Sequence, residues 1–226
     1  KTAIQKISLP QVHFLNCCGH NGDLYLQSTD GRLFTLDPLS LDFAAADDQQ
    51  GLPIQFSSPC LQMECVNIDS QIGVLGLSSR NRLYWNNIQL SSNCSSFLVH
   101  DEHLLLTTTA HKLCVIPLTR EAMEAFVSGN SSFSGERNLE RGSKLVTVVT
   151  EDCRVILQMP RGNLETVYPR QLMVHILQKC MDGRDYHKAI ELMRKHRIDM
   201  NLLYDHNPKD FSDLCTEIVK SVANPN

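Results

Sequence analysis

Leu164-Glu165-Thr166-Val167-Tyr168-Pro169-Arg170-Gln171-Leu172-Met173-Val174-His175-Ile176-Leu177-Gln178-Lys179-Cys180-Met181-Asp182-Gly183 is the stretch in which the chain changes its period. Leu164 to Val167 is the last of a series of short apolar runs. Past Pro169, Leu172, Met173, Ile176, Leu177 and Cys180 recur at i, i+1, i+4, i+5 and i+8. That spacing puts all five on one side of an α-helix, so the stripe predicts a helix with one buried face. Pro169 suits the first helical turn, where its missing N–H costs nothing, and Asp182-Gly183 marks the stop. A second helix is expected from Asp185, a good N-cap, with Tyr186, Ala189, Ile190 and Met193 inward. The two make an αα-hairpin. Asn207-Pro208 opens a third helix carrying Phe211, Leu214, Cys215, Ile218 and Val219. Short helices cannot bury such stripes alone, so they dock on the preceding part or begin a helical solenoid.

Upstream of Tyr168 the apolar runs are short, rich in Val, Ile, Leu, Thr, Phe and Tyr, and divided by turns, as in strands. Asp23 to Gln27 and Leu33 to Leu36 flank Thr29-Asp30-Gly31-Arg32, in which Asp-Gly supplies the positive φ of a tight hairpin. Ile72 to Leu77, Leu83 to Trp85 and Ile88 to Leu90 form a second set. Leu104 to Thr108 and Leu113 to Ile116 form a third. Lys144 to Val149, Cys153 to Met159 and Leu164 to Val167 form a fourth. Sets that begin at Leu24, Ile72, Leu104 and Leu145 recur at roughly the 40 to 45 residues of a β-propeller blade. The Trp-Asp dipeptide of WD repeats is missing, since the single Trp, Trp85, precedes Asn86, and a β-sandwich with similar strand spacing stays open. Between Thr119 and Arg141 the pattern breaks. Arg120 to Val127 has room for two helical turns, but Ser128 to Gly135 is rich in turn residues, which predicts a long mobile surface loop over 119–142. With about four sets visible and no Met at the start, the chain reads as a fragment whose ring is completed upstream, leaving an apolar blade face exposed.

The 226 residues carry 21 basic and 25 acidic side chains, a formal charge of −4, which excludes a module that holds nucleic acid by bulk charge alone. Hydrophobic residues make up 42% and charged residues 20%, the balance of a folded domain with a core. No run approaches the roughly 20 apolar residues of a membrane span, and no secretory signal opens the chain, so a soluble protein with no membrane partner is expected. Nine scattered cysteines, an odd number in a chain that needs no staples, read as reduced thiols of a cytosolic or nuclear protein.

Motifs for chemistry are mostly missing. The phosphate-binding G-x-x-x-x-G-K-[ST] pattern fails at Gly142-Ser143-Lys144, where Ser separates Gly from Lys and position 137 is Arg. Gly129-Asn130-Ser131-Ser132-Phe133 is no nucleophile elbow. Cys17-Cys18 lies near His13 and His20, and Cys60 and Cys65 resemble half of a zinc site, but a second thiolate pair is lacking. His100-Asp101-Glu102-His103 resembles an acid/base set, yet a polar hairpin turn between two apolar runs explains it more simply. Tyr204-Asp205-His206-Asn207-Pro208 reads as a capped turn before the next helix. From 170 to 197, Arg170, Lys179, Arg184, Lys188, Arg194, Lys195 and Arg197 outnumber Asp182, Asp185 and Glu191. Such a surface is either a solvated helical face or a contact for RNA backbone or an acidic partner.

Val146-Thr147-Val148-Val149, then Leu157-Gln158-Met159-Pro160-Arg161-Gly162-Asn163-Leu164-Glu165, then Met193-Arg194-Lys195, Arg197-Ile198 and Asn201 to Pro208 resemble, in order and spacing, the family of the largest subunit of the Elongator complex, also called IKAP. The resemblance is firm from Arg141 to Pro208, looser from Gly51 to Leu118 and weak before that. It implies a β + α fragment: WD-repeat-like blades ending a second propeller over 1–168, with Arg161-Gly162-Asn163 turning a blade hairpin, then the start of an α-solenoid over 169–226. The family implies a non-catalytic scaffold without cofactor, metal or catalytic residue. It would support wobble-uridine modification of transfer RNA by organising other subunits, among them a catalytic acetyltransferase subunit and a WD-repeat subunit. Transfer RNA would be met through the whole complex, and the homodimer would form through a region absent here. The expected compartment is the cytoplasm, with the nucleus as a second. Two readings stand beside it: an RNA-contacting module on the basic face 170–197, and a hydrolase that would need His103.

Overall fold

The computed structural model describes residues 13–20, 22–40, 42–48, 50–69, 71–130, 135–149, 153–209, 211–212 and 215. The chain divides into two compact units, one of residues 1–148 and 156–166, the other of 149–155 and 167–226. Among the described residues no helix is long and apolar enough to cross a membrane.

The first unit is a succession of antiparallel meanders. β1 (Phe14–His20), β2 (Asp23–Ser28), β3 (Leu33–Leu36) and β4 (Phe43–Ala45) form one sheet. β5 (Cys60–Ile68), β6 (Gln71–Ser78), β7 (Leu83–Trp85) and β8 (Ile88–Ser91) form the second. β9 (Cys94–His100), β10 (His103–Thr108), β11 (Lys112–Pro117) and β12 (Gly135–Asn138) form the third, and β13 (Lys144–Val149), β14 (Arg154–Gln158) and β15 (Leu164–Val167) a fourth. Every strand pairs with its neighbour in sequence, the blade pattern. The expected hairpins are present. Ser28 N–H donates to Arg32 O at 2.9 Å around Gly31, whose φ is 87°. Met159 N–H donates to Asn163 O at 2.8 Å around Gly162, whose φ is 86°.

The first strand of each sheet lies beside the first strand of the next. Asn16 of β1 donates its side-chain amide to Leu61 O of β5 at 2.9 Å, and Gln62 of β5 donates to Phe97 O of β9 at 3.0 Å. Leu145 N–H of β13 donates to Ser96 Oγ of β9 at 2.9 Å. Separate sheets joined through their first strands make a propeller arrangement and leave no place for the sandwich alternative.

Packing follows the two-residue period of each strand. Val74 and Tyr84 of the second sheet meet Leu33 of the first, together with Ile54 and Phe56 from the connection between them. Their neighbours Leu75, Leu77, Leu83 and Trp85 point the other way, against Phe97, Leu104, Leu106, Cys114 and Ile116 of the third. The inner strands of the second sheet, β6 and β7, are therefore buried on both faces, and they read as continuous apolar runs instead of alternating ones. Fully burying each Leu or Ile there stabilises by about 1.5–3 kcal/mol. On the opposite face of the first sheet, Phe14, Phe34 and Phe43 cluster, with Phe34 and Phe43 stacked at 5.0 Å.

The segment 119–142, expected as one long loop, carries structure at both ends. α1 (Arg120–Val127) starts where Thr119 Oγ1 accepts the Ala122 N–H at 3.3 Å, and Ala122 and Met123 are buried against the core between the second and third sheets. Tertiary burial of this short apolar face outweighs its weak local signal. β12 then adds a fourth strand to β11, from Lys112↔Asn138 to Val115↔Gly135. Residues 131–134 lie outside the described residues.

In the second unit, α2 (Arg170–Asp182) buries Leu172, Met173, Leu177 and Met181, with Ile176 and Cys180 half-buried. Pro169 is its N-cap, one position ahead of the first-turn place expected. α3 (Tyr186–His196) starts where the Asp185 carboxylate accepts the Lys188 N–H at 3.2 Å, and it buries Tyr186, Ala189, Ile190, Leu192 and Met193. Gly183 does not adopt the left-handed conformation expected of a stop; Arg184 does, at φ 57°, and Arg197 repeats it after α3 at φ 53°. A further helix, α4 (Asn201–His206), occupies the stretch read as a capped turn, and helical residues follow from Pro208. Of the third helix expected there, Leu214, Ile218 and Val219 lie outside the described residues.

Candidate functional site

The seven cations singled out in the sequence are all exposed, but they do not share one face. At 100° per residue, Arg170 and Lys179 lie on opposite sides of α2 and near its two ends. Arg184 and Arg197 sit in the left-handed turns that end α2 and α3. Only α3 gathers them: Lys188, Arg194 and Lys195 fall within an arc of about 120°, with His187 and Glu191 among them.

The carboxylates of the same stretch have local work. Asp185 caps α3, Asp182 meets His206 Nε2 at 2.7 Å, and Glu191 lies 3.9 Å from His187 Nδ1. The outward side of α3 is therefore a small cationic surface, suited to a carboxylate or phosphate partner in a salt-dependent manner.

The candidate acid/base set resolves into a hairpin. His100 pairs with His103 across β9 and β10, and Asp101, at φ 53°, turns the chain. The half zinc site is divided between other partners: the Cys65 sulfur lies 3.1 Å from that of Cys18. Cys60 packs against the apolar cluster of Phe56 and Tyr84, where burial pushes its thiol up to about 12. Cys94 is pushed up to about 12 and Cys114 to about 11 by the same cause, as expected of thiols used as small core side chains.

Sequence reasoning missed a cleft in the strand unit, because it needs α1. One end, about 220 Å³, is apolar and lined by Trp85, Ile88, Leu90, Met123 and Val127. A larger adjoining part, about 380 Å³, runs past Asp47, Asp48, Asn87 and Arg120. Arg120 is held by Asp69 through its backbone N–H and by Gln71 through its guanidinium, both at 2.9 Å. The cleft offers an apolar anchor site with a polar rim, which suits the side chain of a docking partner. The spacing of Ala122, Met123 and Phe126 was the available signal.

Two family descriptions match the chain: "ELP1 N-terminal second beta-propeller" over residues 2–146 and "ELP1 alpha-solenoid" over 170–226. The mouse protein Elongator complex protein 1 is 40% identical over 219 residues, covering 94% of this chain and 16% of the relative. The Xenopus laevis protein called putative elongator complex protein 1 is 40% identical over 79% of this chain and 16% of its own. The Schizosaccharomyces pombe Elongator complex protein 1 is 30% identical over 83% of this chain and 15% of its own. The chain thus spans about a sixth of the length of these relatives.

Proposed function

The chain belongs to the Elongator complex protein 1 family, and from that premise we propose that it is a non-catalytic scaffold segment of an Elongator complex. In this reading residues 1–168 are the last blades of a propeller and 169–226 the beginning of a solenoid. The observation that carries it is the succession of sheets stitched through their first strands, with the inner strands of the second buried on both faces. Such packing makes a rigid body that meets other molecules through its surface, the cleft beside α1 included. The partners are the other subunits of the complex, including an acetyltransferase subunit and a WD-repeat subunit. Transfer RNA whose wobble uridine is modified is met through the assembly. The cytoplasm, with the nucleus as a second compartment, fits the unpaired cysteine count.

The exposed cations of α3 favour a second reading, an RNA contact through Lys188, Arg194 and Lys195. Binding of transfer RNA by the full-length protein separates the two. Under the scaffold reading, Arg194→Ala with Lys195→Ala leaves RNA affinity and its salt slope unchanged. A uniform loss of affinity with a salt slope shallower by about two counterions supports the RNA contact instead. Co-purification of the partner subunits with full-length protein tests the scaffold itself. Loss of those subunits on breaking the sheet core supports it, and their full retention contradicts it.

A further inference from the structure

We propose that Cys18 and Cys65 form a reversible disulfide site that staples the first two sheets of the strand unit together when a hydroperoxide is present. Cys18 is on β1 and Cys65 on β5, the adjacent first strands of their sheets, and the two Sγ atoms lie 3.1 Å apart. They are 47 positions apart in sequence, so the fold alone brings them together. Asn16, two residues from Cys18, is tied to Leu61 of β5, which fixes the local register of these two strands. Both thiols are half-buried: packed closely enough to be held, and open enough for a molecule the size of hydrogen peroxide. By contrast Cys60, Cys94 and Cys114 are buried, and Cys17, next to Cys18, faces solvent on the other side of β1.

The two sulfurs share one hydrogen bond in which either thiol can donate. Whichever of the two loses its proton to solvent is held by the S–H of the other and is the attacking thiolate, and the other is the resolving thiol. The thiolate attacks one peroxide oxygen, the O–O bond breaks, and hydroxide leaves, giving a sulfenic acid. The sulfur of the resolving cysteine then attacks the sulfenic sulfur, the S–S bond forms, and the oxygen leaves as water with the proton of the resolving thiol. Hydroxide takes a solvent proton. In sum two thiols lose two electrons and hydrogen peroxide becomes two waters. Drawing sulfurs already in contact to about 2 Å requires a shift of roughly 1 Å, within reach of adjacent strands.

The test uses the full-length protein, purified reduced, exposed to a few equivalents of hydrogen peroxide, alkylated and digested for mass spectrometry without reductant. The expected product is one linked pair of peptides containing Cys18 and Cys65, two hydrogens lighter than the sum of the parts. It disappears on treatment with dithiothreitol, and Cys17 remains alkylated. In Cys18→Ser and in Cys65→Ser the linked pair is absent, and dimedone traps a sulfenic acid on the cysteine of the pair that remains. Because the wild-type result stands on unmutated protein, a poorly folding variant does not rescue the proposal. Recovery of Cys18 and Cys65 as alkylated thiols after peroxide, or of links that run only to Cys17 or between chains, overturns it.

Discussion

Gln62 donates its side-chain amide to the Phe97 carbonyl at 3.0 Å, across the boundary between the second and third sheets. Two residues along the same strand, the Glu64 carboxyl takes the Val99 backbone N–H. These side chains do what ladder hydrogen bonds cannot, since neighbouring sheets share no ladder. Gln62→Ala leaves the Phe97 carbonyl without its donor, at a cost of about 1 kcal/mol. Deuterium exchange of the full-length protein should show opening of β5 and β9 about fivefold faster, with β2 and β3 unaffected. Unchanged exchange in β9 would show that the stitch contributes nothing.

Glu64 gives a pH dependence. Burial pushes its carboxyl above the ordinary range, and the Val99 N–H draws it back only in part. A carboxyl whose pKa is higher folded than unfolded holds its proton more tightly in the folded state. Folding is thus favoured at low pH, and that contribution fades as pH rises from the unfolded value, about 4.3, through the raised folded one. Glu64→Gln, which keeps an acceptor oxygen, should raise the melting temperature of the full-length protein near neutral pH and leave it unchanged near pH 4. An equal shift at both values, or a fall at neutral pH, contradicts the assignment.

Gly31 and Gly162 share a positive φ but not their surroundings. A Cβ on Gly162 meets open space, whereas one on Gly31 lands on the Phe56 carbonyl oxygen, whose own N–H donates to Gly31 O at 2.9 Å. Gly162→Val should cost the left-handed strain alone, roughly 1–2 kcal/mol. Gly31→Val should cost about 3 kcal/mol or more, because strain and a backbone clash combine. Equal losses in denaturant titrations would mean that the connection over Gly31 yields.

Arg197 ends α3 in the left-handed region, at φ 53°, where a side chain beyond glycine is strained. The Ile198 N–H still closes the turn on Met193 O at 2.9 Å. Arg197→Gly should therefore stabilise the helical unit by about 1 kcal/mol, read as slower exchange of the α3 amides. Faster exchange would mean that the arginine side chain holds the turn.

Local chemistry made much of the fold legible. Gly31 and Gly162 announced their hairpins, Asp185 its cap, and the stripes of α2 and α3 their buried faces. β1 and β5 were not legible as strands. Asn16, Cys17 and Cys18, and Gln62, Glu64 and Asn67, interrupt their apolar positions, and three of them, Asn16, Gln62 and Glu64, reach sideways to the next sheet. α1 was hidden for another reason: its apolar face is only three residues wide, and the partners that justify it come from the second and third sheets. The Cys18 and Cys65 contact had no sequence signal at all. The basic stretch was visible as composition, but its division between the ends of α2, two helix-ending turns and the outer side of α3 depends on helix phase and on where Arg184 and Arg197 stop each helix.

The scaffold reading is tested most directly by measuring partner association and wobble-uridine modification together, with Leu104→Asp placed in the full-length subunit. Leu104 is fully buried between sheets, so a carboxylate there breaks the packing of the strand unit. The account predicts that partner subunits are lost and modification falls in step, while the separately purified acetyltransferase subunit keeps its own activity. A complex that assembles in full yet no longer modifies the uridine would show that this unit does something other than hold the partners, and would contradict the account.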